Sequence, residues 1–143
     1  MVNGNTVYVE NRRDFVRQLP KAGKCAELGV YECHFSKLIL EENQPSELWL
    51  IDAFHEEYHQ YPEEPKMWIN HELNLAYANE LAWQVNSDLA NIPTHIEVIQ
   101  GLSVNAVKEF EDETLDWVYV DASHAEDDVR FDLDAWAKKV KHG

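Results

Sequence analysis

Cys25-Ala26-Glu27-Leu28-Gly29-Val30 and Leu48-Trp49-Leu50-Ile51-Asp52 decide the fold of this chain. Both are short runs dominated by apolar residues. Near-continuous apolar runs of this length read as strands buried on both faces, as in a parallel sheet covered by helices. Between them, Glu32 to Glu42 carries Phe35, Leu38 and Ile39 on one face at helical spacing and reads as a helix. Pro45 and Ser46 mark the turn into the second run. Strand, helix and strand in this order form one βαβ unit.

The alternation continues outward in both directions. Asn11 to Leu19 reads as a helix closed by Pro20. Phe54 to Pro65 is polar, carries two prolines and has no period, so it reads as a loop. Met67 to Leu89 reads as a long helix with apolar positions Ile69, Leu73, Ala76, Leu81, Val85 and Leu89. His95 to Gln100 is a third strand, a short helix follows, and Leu115 to Val120 is the fourth strand. In the last helix, Ser123 and Glu126 form a capping-box pattern. Glu126, Asp127 and Asp128 load its first turn with negative charge, and Lys138, Lys139 and Lys141 load its last turn with positive charge, as the helix dipole favours. Val129, Leu133, Trp136 and Val140 make its apolar stripe. The pattern predicts an α/β fold, a three-layer αβα sandwich with a mainly parallel sheet, in one domain over 1–143.

Composition narrows the class. The chain has 143 residues, 45% hydrophobic and 27% charged, ordinary for a soluble globular protein. Its net charge of -15 opposes nucleic acid or an anionic membrane as the main partner, and equally reads as an adaptation for solubility or high salt. Two cysteines, Cys25 and Cys33, are too few for a disulfide scaffold, and Cys25 sits in an apolar run as a small core residue. The start lacks a secretory pattern and no apolar run matches a bilayer, so the expected location is cytoplasmic.

In such a sheet, ligands bind outside the carboxyl ends of the strands, so the residues there carry the function. Gly29 ends the first strand and permits close approach to the backbone. Asp52 ends the second, roughly 25 residues after Glu27. An acid there is placed to accept from two ribose hydroxyls, the interval in dinucleotide folds being about 20 residues. It equally reads as a solvated aspartate. Gly101 permits a tight turn after the third strand. Ser103 is placed to cap the next helix, or to face an adenine edge. Asp121 and His124 follow the fourth strand at the mouth of the expected cleft. A neutral His124 can act as general base toward a substrate hydroxyl, or be a surface histidine beside a helix cap.

These segments, with Val98-Ile99-Gln100-Gly101-Leu102-Ser103 and Leu115-Asp116-Trp117-Val118-Tyr119-Val120-Asp121-Ala122-Ser123-His124, resemble class I S-adenosylmethionine-dependent methyltransferases of family 24. The resemblance implies a Rossmann-like fold. It implies that Glu27 and Gly29 meet the methionine portion of S-adenosyl-L-methionine and that Asp52 holds the ribose. It places Gly101 and Ser103 near the adenine and Asp121 near the methyl donor and acceptor. Three departures stand out. Cys33 occupies a place where a second glycine is common, and Leu102 stands where an aspartate is common. Lys139-Val140-Lys141-His142-Gly143 looks like the loop before strand five of a sheet ordered 3-2-1-4-5-7-6. The expected sheet is therefore incomplete, with its first four strands, and strand four is an edge open to a second copy or another partner. Further metal ligands would follow strand five, so no metal site is expected. The expected reaction moves a methyl group to an oxygen, or less favourably a nitrogen, of a small molecule; a non-catalytic binding module is the alternative.

One motif competes. His55-Glu56-Glu57-Tyr58-His59 fits H-E-x-x-H, which on a helix binds zinc for hydrolysis. Pro62 follows closely and Glu57 is charged where a buried zinc helix favours an apolar residue. The segment reads better as a loop at the cleft.

Overall fold

The apolar runs form a four-stranded parallel sheet in a computed structural model that describes residues 11–21, 23–54, 71–87, 91–120 and 126–142, without the side chains of 71, 72 and 126–129. The strands are β1 (Lys24–Leu28), β2 (Glu47–Asp52), β3 (His95–Gln100) and β4 (Trp117–Val120). Their order is β3-β2-β1-β4, as the resemblance implies for the first four. β1 runs beside β2 from Lys24–Glu47 to Leu28–Ile51, and beside β4 from Cys25–Trp117 to Leu28–Val120.

Side chains alternate across a strand, so each parity meets its own helices. Cys25, Leu48, Leu50, Ile96 and Trp117 pack with Val16 of α1 (Arg12–Gln18), Phe35 and Ile39 of α2 (His34–Glu42), and Ala78 and Val85 of α3 (His71–Asn86). Ala26, Leu28 and Ile51 pack on the other face with Ala106 of α4 (Ser103–Ala106), with Val107, Phe110 and Leu115, and with Trp136 of α5 (Glu126–Ala137). The result is the predicted three-layer α/β sandwich. Burying a leucine side chain fully is worth about 1.5–3 kcal/mol, so Leu28, Leu48 and Leu50 anchor both faces of the sheet.

Several local expectations shift. β1 stops at Leu28, and α2 starts at His34, because Gly29, Tyr31 and Cys33 take left-handed φ values that neither strand nor helix continues. On α3, Leu73 is 46% exposed and Ala76 faces outward, while Asn74, Ala78 and Val85 are buried. Apolar residues run around much of that helix, so spacing alone does not locate its buried face. The predicted ends of α3, at residues 67–70 and 88–89, lie outside the described residues. On α5, Leu133 is 54% exposed, and Asp132 takes an inward place beside Trp136. The helix ends at Ala137, before the lysines assigned to its last turn. Lys139 instead pairs with Asp112 at 2.8 Å and Lys141 with Asp116 at 3.5 Å. Ser123 of the capping box is outside the described residues.

Three ties fix the layers. Asn86, the last residue of α3, donates from Nδ2 to the Ile96 carbonyl and accepts the Ile96 N–H at Oδ1, both at 2.8 Å. Arg13 and Arg17 of α1 both pair with Glu42 at the end of α2, and Lys21 donates to the Glu42 carbonyl at 2.9 Å. The Glu42 carboxyl is held below its ordinary range by the hydrogen bond from Arg17, then by that from Arg13. After α5, Val140 bridges Leu115 in the parallel sense, and Lys141 donates its N–H to the Leu115 carbonyl at 2.8 Å. The segment read as the approach to strand five thus already lies alongside the start of β4. No helix among the described residues is long and apolar enough to cross a membrane.

Candidate functional site

The strand order reverses between β1 and β4: the chain adds β2 and β3 on one side of β1, then places β4 on the other. Ligands of open α/β sheets lie outside the carboxyl ends at this point. A cleft of about 140 Å³ opens there, lined by residues that include Arg12, Glu27, Gly29, Phe35 and Tyr119. Glu27 lies opposite Tyr119 in register and turns toward the α1 and α2 side. Only 1% of Glu27 is exposed, and its Oε1 accepts the Ser36 hydroxyl at 2.6 Å. A carboxylate this deep costs free energy unless hydrogen bonds or a cation offset the lost water.

The backbone around the cleft is unusual. Gly29 has φ 88°, a region where a residue with a Cβ loses roughly 1–2 kcal/mol. Tyr31, Cys33 and Phe54 adopt φ values of 52°, 68° and 52° without that freedom. Strained backbone of this kind concentrates at functional sites and persists where the surroundings enforce it. Here the enforcing group is Asp52. Its Oδ2 accepts the N–H of Val30 at 2.8 Å and of Tyr31 at 3.0 Å, and its Oδ1 accepts the N–H of Phe54 at 2.9 Å. Asp52 is 5% exposed and ties the ends of β1 and β2 together.

The left-handed φ of Cys33 explains why glycine suits its position. The thiol turns into the core between sheet and helices, and it does not line the cleft of Glu27 and Gly29. The cysteine therefore leaves that cleft open. Burial first, and Glu27 next, push the Cys33 thiol up to about 11 from an ordinary 9.0. Burial first, and Asp116 next, push Cys25 higher still. The fold accepts only neutral thiols here, so their contribution is full below about pH 9 and falls as the pH rises through the folded values. Urea midpoints should drop between pH 9 and 11, and Cys33→Ala should flatten part of that drop.

At the end of β3, the Gly101 N–H donates to the Asp52 carbonyl at 2.9 Å, continuing the β2–β3 edge. Gly101 sits at a bend directly after β3 with φ outside the left-handed region, and a Cβ there would meet nothing within 4 Å. What the glycine leaves is open space. Leu102 is exposed beside it. Ser103 does not cap α4: Leu102 holds the cap position, and the Ser103 hydroxyl donates to Asp132 Oδ1 at 2.6 Å. The buried Asp132 explains the inward rotation of α5, since it anchors α5 to α4.

A family model described as a methyltransferase domain matches residues 26–143. The chain belongs to this methyltransferase family. No curated protein matches it. The matched span begins inside β1, so it takes in most of β1, the other three strands and α2 to α5, and leaves out α1.

The methyltransferase fold brings Glu27, Gly29 and Asp52 to one place, with Gly101 bonded to the Asp52 backbone. Asp121 and His124 lie outside the described residues, as do His55, Glu56 and His59. Among the described residues, no group of three or more His, Cys, Asp or Glu side chains is arranged to hold a metal ion. Sequence reading missed Arg12, Ser36, Phe35 and Tyr119 as cleft or supporting residues. Only Tyr119 had a legible signal, because its strand position matches that of Glu27 across the β1–β4 pair.

Proposed function

We propose that this methyltransferase binds S-adenosyl-L-methionine across the carboxyl ends of β1, β2 and β3 and passes its methyl group to an oxygen, or less favourably a nitrogen, of a small molecule in the cytoplasm. The observation that carries this reading is the cleft at the β1–β4 reversal, which has Glu27 and Gly29 in its wall. The open space at Gly101 and the glycine at φ 88° both suit a ligand that approaches backbone closely. The buried Glu27 carboxylate suits a cationic group.

The bound sulfonium supplies an already reactive methyl group. The chain's own residues orient and select. Glu27 faces the ammonium of the methionine portion, and Gly29 admits it. Asp52 shapes the loop and shares its oxygens with the ribose hydroxyls. Gly101 gives the adenine room, and Ser103 sits beside it with its hydroxyl committed to Asp132. Asp121 and His124, following β4, take the acceptor side, with a neutral His124 receiving the acceptor's proton. Most of the rate gain comes from alignment of donor and acceptor. The charge of -15 favours a small acceptor over nucleic acid.

Calorimetric titration with S-adenosylhomocysteine tests the reading. Saturable binding at one site per chain is expected, followed by labelled methyl transfer to a panel of phenols and amines. A folded chain that binds no S-adenosylhomocysteine would overturn it. Binding without transfer to any acceptor would reassign the chain as a binding module.

A further inference from the structure

We propose that Arg12 and Glu27 form a two-ended clamp for an α-amino-acid head group, which in the S-adenosylmethionine reading above is the methionine end of the cofactor. The chain carries 27 acidic and 12 basic residues, so carboxylate partners for a surface arginine abound. Arg13 and Arg17, on the same helix, both use Glu42. Arg12 makes no ion pair with a described residue. Its guanidinium instead lies over the Phe35 ring, 5.6 Å from the centroid. Phe35 packs on Tyr119 at 4.2 Å, and Tyr119 neighbours Glu27 in register. The aromatic pair thus carries a cation to the wall of the cleft that holds the buried carboxylate.

A site with one buried carboxylate and one exposed guanidinium matches an ammonium and a carboxylate on a single carbon. A guanidinium fork binds carboxylate bidentately, which fixes orientation as well as charge. The volume agrees: about 140 Å³ suits an amino-acid head, whereas sites for whole drug-sized ligands span roughly 300–1,000 Å³. Arg12 lies on α1, outside the matched span of 26–143. The Glu42 latch on α1 is what holds Arg12 there.

The test compares S-adenosylhomocysteine with 5′-methylthioadenosine, which keeps the nucleoside and thioether but lacks the amino-acid head. Both are titrated into the 143-residue chain and into Arg12→Ala, Arg12→Lys and Glu27→Gln, with thermal melts to confirm folding. Arg12→Ala should weaken S-adenosylhomocysteine roughly 10- to 100-fold, the range of a lost charged hydrogen bond, and leave methylthioadenosine within about twofold. Arg12→Lys should fall between, and Glu27→Gln should show the same selectivity for the amino-acid ligand. Equal weakening of both ligands, or none of S-adenosylhomocysteine, overturns the clamp. A wild-type chain that binds both ligands equally overturns the clamp and leaves the nucleoside site standing. One that binds neither overturns the cofactor reading and the clamp together.

Discussion

Asp52→Ala should cost about 3 kcal/mol of folding stability, read as a lower urea midpoint at constant slope. The expectation follows from three backbone donors. Val30, Tyr31 and Phe54 all give their N–H groups to this one carboxylate, in a region with little water access. A buried donor left without a partner costs about 1–3 kcal/mol, and the loop would recover part of that by relaxing. Relaxation has its own consequence, because Asp52 is what enforces the left-handed φ of Tyr31 and Phe54. The variant should therefore lose cofactor binding even where it remains folded. Asp52→Asn should do little better, since its amide presents an NH₂ where a donor is already aimed. Thermal midpoints should fall by roughly 10 °C. A loss under about 1 kcal/mol would show that water replaces the carboxylate, and would return Asp52 to a role in ligand contact alone.

Trp136→Ala should be the most damaging change on the opposite face, at about 3–5 kcal/mol. Trp136 is fully buried among Leu28, Ile51, Ala106 and Leu115, and meets Phe110 at 5.2 Å with ring planes 58° apart. Among the described residues it is the buried apolar side chain that α5 packs against the sheet, so its loss loosens the layer and not only a side chain. Trp136→Phe separates ring from indole. The buried indole N–H has no hydrogen-bond partner among the described residues, so the smaller ring sheds an unpaired donor, and the cost should stay under about 1.5 kcal/mol. Denaturation of both variants decides the matter; a phenylalanine as harmful as alanine would mean that the indole makes a contact essential to α5.

The sheet was legible in the sequence because strands buried on both faces are nearly continuous apolar runs, as Leu48 to Ile51 of β2 is and as β1 is apart from Lys24 and Glu27. Helix faces were less legible. α3 has apolar residues around most of its circumference, and Leu73 was assigned inward on spacing that neighbouring stripes also satisfy. α5 misled for a different reason. Asp132 is buried for its bond to Ser103, and no periodicity announces a polar residue turned inward for one partner 29 positions away. At the site, Glu27, Gly29 and Asp52 were found because a parallel sheet fixes where its strands end. Arg12 was not, since its place in the cleft depends on how α1 docks, and that rests on Glu42, 29 positions from Arg13.

Asn86 closes on Ile96 with two matched 2.8 Å bonds, and this has a kinetic meaning. The final turn of α3 cannot fray without releasing the second residue of β3. Helix and strand should open to solvent as one cooperative unit, so the Ile96 amide should exchange as slowly as those of the sheet centre. An Asn86→Ala chain would uncouple them, and α3 would open on its own at far lower free energy than the strand it covers.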